Sequence, residues 1–403
     1  MKILFIFLLM GFGISLSADK PETIENGLKP KGKGLTLKLT EDLRFGPETG
    51  EGDEYLWPGT AVQVEADARG HIYLVDPIQR RLLEFDDQGG FVRLVGGPGQ
   101  GPGEFQFLAT FQILADGSAV AFGNGGPTTI VNYYDTALQY KDRKSITSMA
   151  AILNALRFSP NGKNRFGMVT ALQMEVNEMR IAFGTLTEDY KIDTKLAEIT
   201  TMSFNPQRVM EPAFWSEFLA DQFTQGAKGG GMVFAFDKDN NLFTAENGVY
   251  EITKWDPNYK KIRVIKREYT PIKMAEEDID AITGPVQEAL VANLPPQLQE
   301  IVTPNVIRKA VEMADFPAFH LPVNNLLTTP DGKLIVINYQ SLATRKGIGD
   351  IFSPDGKYQG SFEHGNNGLL RMVFKNGYAY TVETDDMDDN HVVRYKVEWV
   401  PTR

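Results

Sequence analysis

The chain contains no cysteine among its 403 residues, which excludes disulfides, thiolate metal sites and cysteine nucleophiles together. Histidine is scarce: His71, His320, His364 and His391 form no HxH or HExxH pair, so zinc has no local support. Gly-x-Ser-x-Gly is missing as well, which removes the usual hydrolase elbow. Basic residues are outnumbered, 41 Lys and Arg against 52 Asp and Glu for a net charge of −11, and no Lys/Arg run exceeds two. That balance argues against nucleic acid as a partner, because a surface that reads phosphate backbones needs a basic excess. No apolar run reaches the roughly 20 residues that span a bilayer core, so no stable membrane span is expected. What is plentiful is turn-forming residues, 38 Gly and 22 Pro, alongside 42% hydrophobic and 11% aromatic residues. Such a composition favours many short strands over long helices.

The first 18 residues differ from the rest. Lys2 is followed by an apolar stretch from Ile3 to Ile14 and then Ser15-Leu16-Ser17-Ala18. A positive start, an apolar centre and a small-residue exit are the parts of a cleavable secretory signal, so 1–18 reads as a signal peptide and the mature chain as periplasmic or secreted. A buried first strand or a retained anchor is the other reading. With no cysteine after the run, a lipoprotein anchor is excluded.

From residue 19 onward one domain is expected, built from repeats. The clearest unit runs from Gly59 to Gly96. Thr60, Val62, Val64 and Ala66 alternate with more polar neighbours, Arg69-Gly70 turns the chain, and Ile72 to Val75 returns and ends at Asp76. Arg81–Phe85, a turn at Asp87-Gln88-Gly89, and Phe91–Val95 complete a four-stranded meander of about 40 residues, the size of one propeller blade. The first turn recurs at Asp116-Gly117, Asn161-Gly162, Asn240-Asn241, Asp331-Gly332 and Asn376-Gly377, each between apolar runs. A second turn follows in the first five units, at Gly89, Asp135, Asp189, Asn258 and Gly356. The sixth unit lacks its last strand, because residues 392–399 run to the chain end.

Leu35 to Arg44 supplies that strand, keeping Leu35, Leu37, Leu39 and Leu43 on an alternating face. Its exit, Gly46-Pro47 to Asp53, aligns without gaps to the blade exit Gly97-Pro98 to Glu104. Pairing 35–44 with 392–399 closes the ring and removes open sheet edges. The fold predicted is an all-β, six-bladed propeller with terminal-strand closure. A seventh blade within the long gap between Asn240 and Gly332 is the rival count.

The segment Gly59 to Phe105, with Gly70-His71-Ile72-Tyr73-Leu74-Val75-Asp76 and Gly101-Pro102-Gly103-Glu104-Phe105, resembles the NHL-type six-bladed propeller group, which includes many exported bacterial proteins. The likeness is strong over that blade and the N-terminal strand and falls to turn spacing elsewhere. It implies fold more than activity.

Two helical insertions interrupt the strands. Residues 211–223 place Phe214, Trp215, Phe218 and Phe223 near helical spacing. Residues 275–314 carry Ile279, Ile282 and Val286 three or four apart, with Gly284-Pro285 expected to break that helix. Pro304 opens another with Ile307, Ala310, Val311 and Ala314 on one face. The insertions serve either as a flap packed on blades four and five or as a lid or contact surface.

Candidate chemistry comes from the position six residues after each first turn. There Asp76, Glu246, Asn338 and Glu383 supply three carboxylates and an amide, and successive blades set such positions around the axis. An oxygen-rich set suits calcium or another divalent cation, and gluconolactonase-type propellers are similar in holding an axial metal. The alternative is that these side chains accept amides of the turns that follow. The loop containing Asp385, Asp386, Asp388 and Asp389 is a second candidate cation site, or a solvated hairpin loop. Asp237 to Asn241 mimics the start of an EF-hand but lacks its glycine and glutamate, and Gly96–Gly103 has prolines where a phosphate cradle needs amides. Both read as turns or linkers.

No catalytic motif emerges, so the leading expectation is an exported, non-enzymatic binding protein. It would hold a protein, peptide or glycan at a channel mouth or on the helical insertion. The alternative is a metal-dependent hydrolase or lyase resembling the gluconolactonase-type propellers.

Overall fold

Ile72-Tyr73-Leu74-Val75 is buried along its whole length, and its two faces go to different neighbours. Ile72 and Leu74 pack with Tyr380, Val382 and Val392 near the C-terminus. Tyr73 and Val75 pack with Phe111, Ala121 and Tyr134 in the next repeat. Side chains of a strand alternate between faces, so a strand apolar on both faces must be sandwiched between two sheets. Repeating this arrangement around an axis gives a propeller.

The computed structural model describes residues 20–47, 63–125, 128–148, 151–173, 178–344, 346–365, 372–385, 387 and 389–402. The leader expected at 1–18 lies outside them. In chain order, β1 (Glu22–Asn26) and β2 (Leu35–Phe45) precede the first blade, β3 (Gln63–Ala66), β4 (Ile72–Asp76), β5 (Arg81–Phe85) and β6 (Phe91–Gly96). Blade two is β7 (Thr110–Ile113), β8 (Ala119–Gly125), β9 (Thr128–Tyr134) and β10 (Tyr140–Thr147). Blade three is β11 (Ala151–Phe158), β12 (Arg165–Gln173), β13 (Glu178–Leu186) and β14 (Ile192–Met202). Helix α1 (Pro212–Ala227) leads to blade four, β15 (Met232–Phe236), β16 (Leu242–Glu246), β17 (Glu251–Trp255) and β18 (Lys261–Arg267). Helices α2 (Glu276–Asn293), α3 (Pro296–Gln299) and α4 (Pro304–Met313) lead to blade five, β19 (Asn325–Thr328), β20 (Leu334–Ser341), β21 (Lys346–Phe352) and β22 (Tyr358–Gly365). Blade six is β23 (Val373–Lys375), β24 (Tyr378–Thr384) and β25 (Asn390–Pro401), completed by β2.

The expected closure is present: β2 pairs antiparallel with β25 from Leu35 opposite Pro401 to Phe45 opposite Val392. Six inter-blade cores follow one another around the ring, the sixth joining blade six to blade one. The count is six, and the gap after Asn240 holds helices rather than a seventh blade.

One hairpin loop recurs through the fold. In blade one the Asp67 amide donates to His71 O and the Gly70 amide to Asp67 O. The left-handed position is Gly70, Gly162 or Gly332 in some blades and Asn240 in another. Asp67 Oδ1 accepts the amides of Arg69 and His71, satisfying the loop from within. Asp86, Asp135, Asp237 and Asp256 repeat this use of Oδ1, and Ser159, Thr187, Thr329 and Ser353 use a hydroxyl instead.

Two features depart from expectation. β1 adds a fifth strand to blade four, parallel to β18, with Ile24 opposite Ile265. Helix α2 continues through Pro285. Pro285 removes the amide that would bond the Ala281 carbonyl, a local loss the turns on either side outlast.

The two insertions make one cap. Phe214, Trp215, Leu219 and Phe223 of α1 form a buried cluster with Val302, Val306, Ile307 and Ala310 around α4. Asp221 ties α1 to β14 by accepting the Thr201 hydroxyl and the Met202 amide. Asp278 ties α2 to blade five through the Ser341 hydroxyl and the amides of Leu342 and Ala343, at 2.7–3.1 Å. Both insertions leave the outer strand of one blade and return to the inner strand of the next.

Candidate functional site

β3 starts at Gln63 opposite Val75 near the end of β4. The end of the propeller where inner strands begin therefore also carries the turns after second strands and the connections between blades. Asp76, Glu246, Asn338 and Glu383 lie at this end, on second strands rather than innermost ones.

Three of the four side chains have partners of their own. Asp76, buried, accepts the Gln79 amide at 2.9 Å and pairs with Arg81 at 2.9 Å. Glu383 takes Arg44 at 2.8 Å and the Tyr395 hydroxyl at 2.5 Å. Asn338 donates to Asp350 at 3.3 Å, and Glu246 is exposed. In the acidic loop, Asp385 Oδ1 accepts the amides of Met387 and Asp389, the same loop motif seen at Asp67, and its Oδ2 meets His391 Nε2 at 2.9 Å. Asp389 is the residue whose carbonyl closes that loop, and Asp386 and Asp388 lie outside the described residues. Among the described residues no three His, Asp or Glu side chains converge in a set able to hold a metal ion. The Gly96–Gly103 segment links blades one and two, and Arg143 clamps it by donating to the carbonyls of Gln100, Gly101 and Glu104.

Two cavities carry the remaining chemistry. The first is the axial channel, about 340 Å³, walled by the innermost strand of every blade. At the level where Glu65 stands opposite Tyr73, the other blades place Gln112, Arg157, Ala235, Leu327 and Val373. At this level blades one to three thus present polar side chains and blades four to six apolar ones, while Lys375 of blade six lines the channel two residues further along β23. Gln112 staples blade two to three, bonding the Phe158 carbonyl and amide at 2.7 and 2.9 Å.

The second cavity, about 360 Å³, opens between blades four and five. Its walls include Arg267 and Tyr250 from blade four, Asn338 and Asp350 from blade five, and His320 on the segment between α4 and β19. Leu28 and Lys29, just after β1, close one side. Asp350 is 1% exposed; its Oδ2 receives Tyr250 at 2.6 Å, Arg267 at 3.1 Å and Asn338 at 3.3 Å. Its Oδ1 and the Arg267 Nε are both buried and, among the described residues, have no hydrogen-bond partner. Burial raises the Asp350 pKa, against the opposing pull of Arg267, Tyr250 and Tyr358. The Arg267 guanidinium lies over Tyr358 at 4.0 Å and Tyr250 at 5.6 Å, which holds its plane. His320 Nε2 lies 3.0 Å from Asp278, so the cap anchor and the cavity wall share a residue.

Motif reasoning missed this cavity because its residues come from different blades and share no spacing. A signal does exist: Asp350 is a carboxylate inside β21, where the stretch Gly347-Ile348-Gly349-Asp350-Ile351-Phe352 is otherwise apolar. A charge there has to be paired across a blade interface.

Comparison with known proteins bears on the fold. A family model, DUF5128, described as a 6-bladed beta-propeller, matches residues 61–209. No curated protein matches the chain. Similar solved structures include a Bacteroides fragilis protein named for its inferred export, at 10% identity and TM-score 0.48, covering 94% of this chain and 100% of its own. A member of the DUF4221 family from Bacteroides vulgatus aligns at 10% identity and TM-score 0.48, with 92% and 100% covered. Virginiamycin B lyase from Staphylococcus aureus aligns at 9% identity and TM-score 0.38, with 89% and 99% covered. The chain is a six-bladed β-propeller. Among the described residues no helix is long and apolar enough to cross a membrane.

Proposed function

We propose that this propeller is an exported binding protein that holds the polar end of a glycan or peptide in the cavity between blades four and five. Support comes above all from Asp350, whose unpartnered Oδ1 lies buried in the wall of that cavity beside the unpartnered Nε of Arg267. A buried acceptor and donor left unmade each cost about 1–3 kcal/mol. A ligand offering a hydroxyl or amide hydrogen to Asp350 and an oxygen to Arg267 recovers that cost. Tyr269 and Tyr250, with ring centroids 5.7 Å apart, add aromatic surface of the kind sugar rings and peptide side chains pack against. Export is supported by the secretory pattern at the start of the chain.

Calorimetry against a panel of oligosaccharides and short peptides tests the reading. The expected result is saturable binding of at least one member, weakened about tenfold or more by Asp350→Asn, which corresponds to about 1.4 kcal/mol. Binding that ignores both Asp350→Asn and Arg267→Gln, or no binding by any member at millimolar concentration, defeats it.

A further inference from the structure

We propose that the axial channel is a second, separate binding site, which takes a small organic monocarboxylate with an apolar body. Arg157 on blade three and Lys375 on blade six line the channel from opposite sides of the ring. Among the described residues the Arg157 side chain makes one hydrogen bond, Nη1 to the Thr110 hydroxyl at 2.6 Å. A guanidinium has five donors and stays charged in proteins, so Arg157 presents most of its donors to the channel. Among the described residues neither Arg157 nor Lys375 forms an ion pair with a carboxylate. The nearby acid is Glu65, whose Oε2 accepts the Ile113 amide at 3.4 Å.

The charges do not balance within the channel. Burial pushes the Glu65 carboxyl toward its neutral form, with Lys375 and Arg157 pulling the other way. Two cations therefore face one carboxyl that burial biases against ionising. A carboxylate is the anion whose two oxygens match the guanidinium fork.

The opposite wall sets the rest of the ligand. Ala235, Leu327 and Val373 occupy the same level on blades four to six and offer no hydrogen bond from their side chains. A ligand lying across the channel would turn its carboxylate to Arg157 and its hydrocarbon to these three, with Lys375 attracting the carboxylate across the channel by its charge. At about 340 Å³, and with a water's share of liquid volume about 30 Å³, the channel holds a body of roughly ten heavy atoms. Benzoate and hexanoate fit that description. A free divalent cation does not, since Arg157 and Lys375 oppose it.

The test is calorimetry of the full chain with benzoate and hexanoate, using benzamide as the neutral isostere. Benzoate is expected to bind, and benzamide to bind at least tenfold more weakly. Arg157→Gln should weaken benzoate about tenfold or more, and Lys375→Gln about threefold or more. Glu65→Gln should leave binding intact or tighten it, because it removes the competing acid. If Arg157→Gln does not give folded protein by circular dichroism, Lys375→Gln and Glu65→Gln decide the matter. Equal affinity for benzoate and benzamide, no carboxylate binding at 10 mM (roughly the weakest useful affinity), or Lys375→Gln without effect overturns the proposal.

Discussion

Leu37 near the start of the chain lies opposite Trp399 near its end, and Lys333 of the neighbouring blade sits 4.9 Å from the centre of that indole. The closure of the ring is thus packed from blade five as well as hydrogen-bonded within blade six. Gly360 fits the same contact: at φ +142°, with the Leu35 backbone against it, it has no room for a Cβ.

Closure should therefore be expensive to weaken from inside and cheap to alter from outside. Val392 is fully buried between blades six and one, and Val392→Ala is expected to cost about 2 kcal/mol. Lys38 and Glu398 pair at 3.0 Å with both side chains more than half exposed, so Lys38→Ala should cost under about 0.5 kcal/mol. Urea unfolding of the two variants checks the contrast. Equal midpoints would mean the seam is not where the ring is held.

Acid should attack blade one. Glu84, 3% exposed in its side chain, meets Arg93 at 2.6 Å, His71 at 2.9 Å and the Tyr73 hydroxyl at 3.0 Å. Burial alone would raise its pKa, but Arg93, His71 and Tyr73 together bring it below the ordinary 4.5. A carboxylate depressed in the folded state contributes stability above the ordinary value and loses it as pH falls through the folded value. The urea midpoint should fall on acidification below about pH 4.5. Glu84→Gln should lower stability at pH 7 by about 2 kcal/mol and flatten part of that acid slope. An unchanged slope in the variant would assign the acid sensitivity elsewhere.

The first strand should be held by one amide. Asn26 Nδ2 donates to Lys266 O at 3.0 Å and Gly356 O at 3.1 Å, while its Oδ1 accepts the Tyr358 amide at 2.8 Å. It stitches β1, β18 and blade five together beside the Leu28 wall of the inter-blade cavity. Asn26→Ala is expected to lower the local opening energy of residues 22–26 by about 1–2 kcal/mol and leave the inner strands protected. Hydrogen exchange resolved by peptide reads this directly, and uniform protection in the variant would show that the strand is held by its ladder alone.

The repeat is legible in the sequence because the turns punctuate it, but glycine and asparagine mark only half of each turn. Glycine or asparagine marks the left-handed position at Gly70 or Asn240, yet the same position is filled by Leu138, Tyr190 and Tyr259 in other loops. The more regular feature is the Asp, Ser or Thr that opens the loop and binds its amides, as at Asp67, Ser159 and Asp385. The same chemistry is made by Asp385 in the acidic loop that the sequence offers as a second cation site. β1 was invisible since Glu22-Thr-Ile-Glu-Asn26 carries one apolar residue and pairs through its backbone. The two cavities were invisible for a different reason: Asp350, Arg267, Arg157 and Glu65 acquire partners only once neighbouring blades, about 50 to 80 residues apart in the chain, are set side by side.

Both strands nearest the start of the chain depend on partners made much later. Residues 22–26 wait for 263–267, and residues 35–45 wait for 392–401. A ribosome delivering the polypeptide in order must leave the first of these segments unpaired until residue 267 has emerged and the second until residue 401 has. Such distant pairings form slowly and leave exposed edges meanwhile. The molecule is consequently most prone to sticking to its own kind in the interval just before its final strand is delivered.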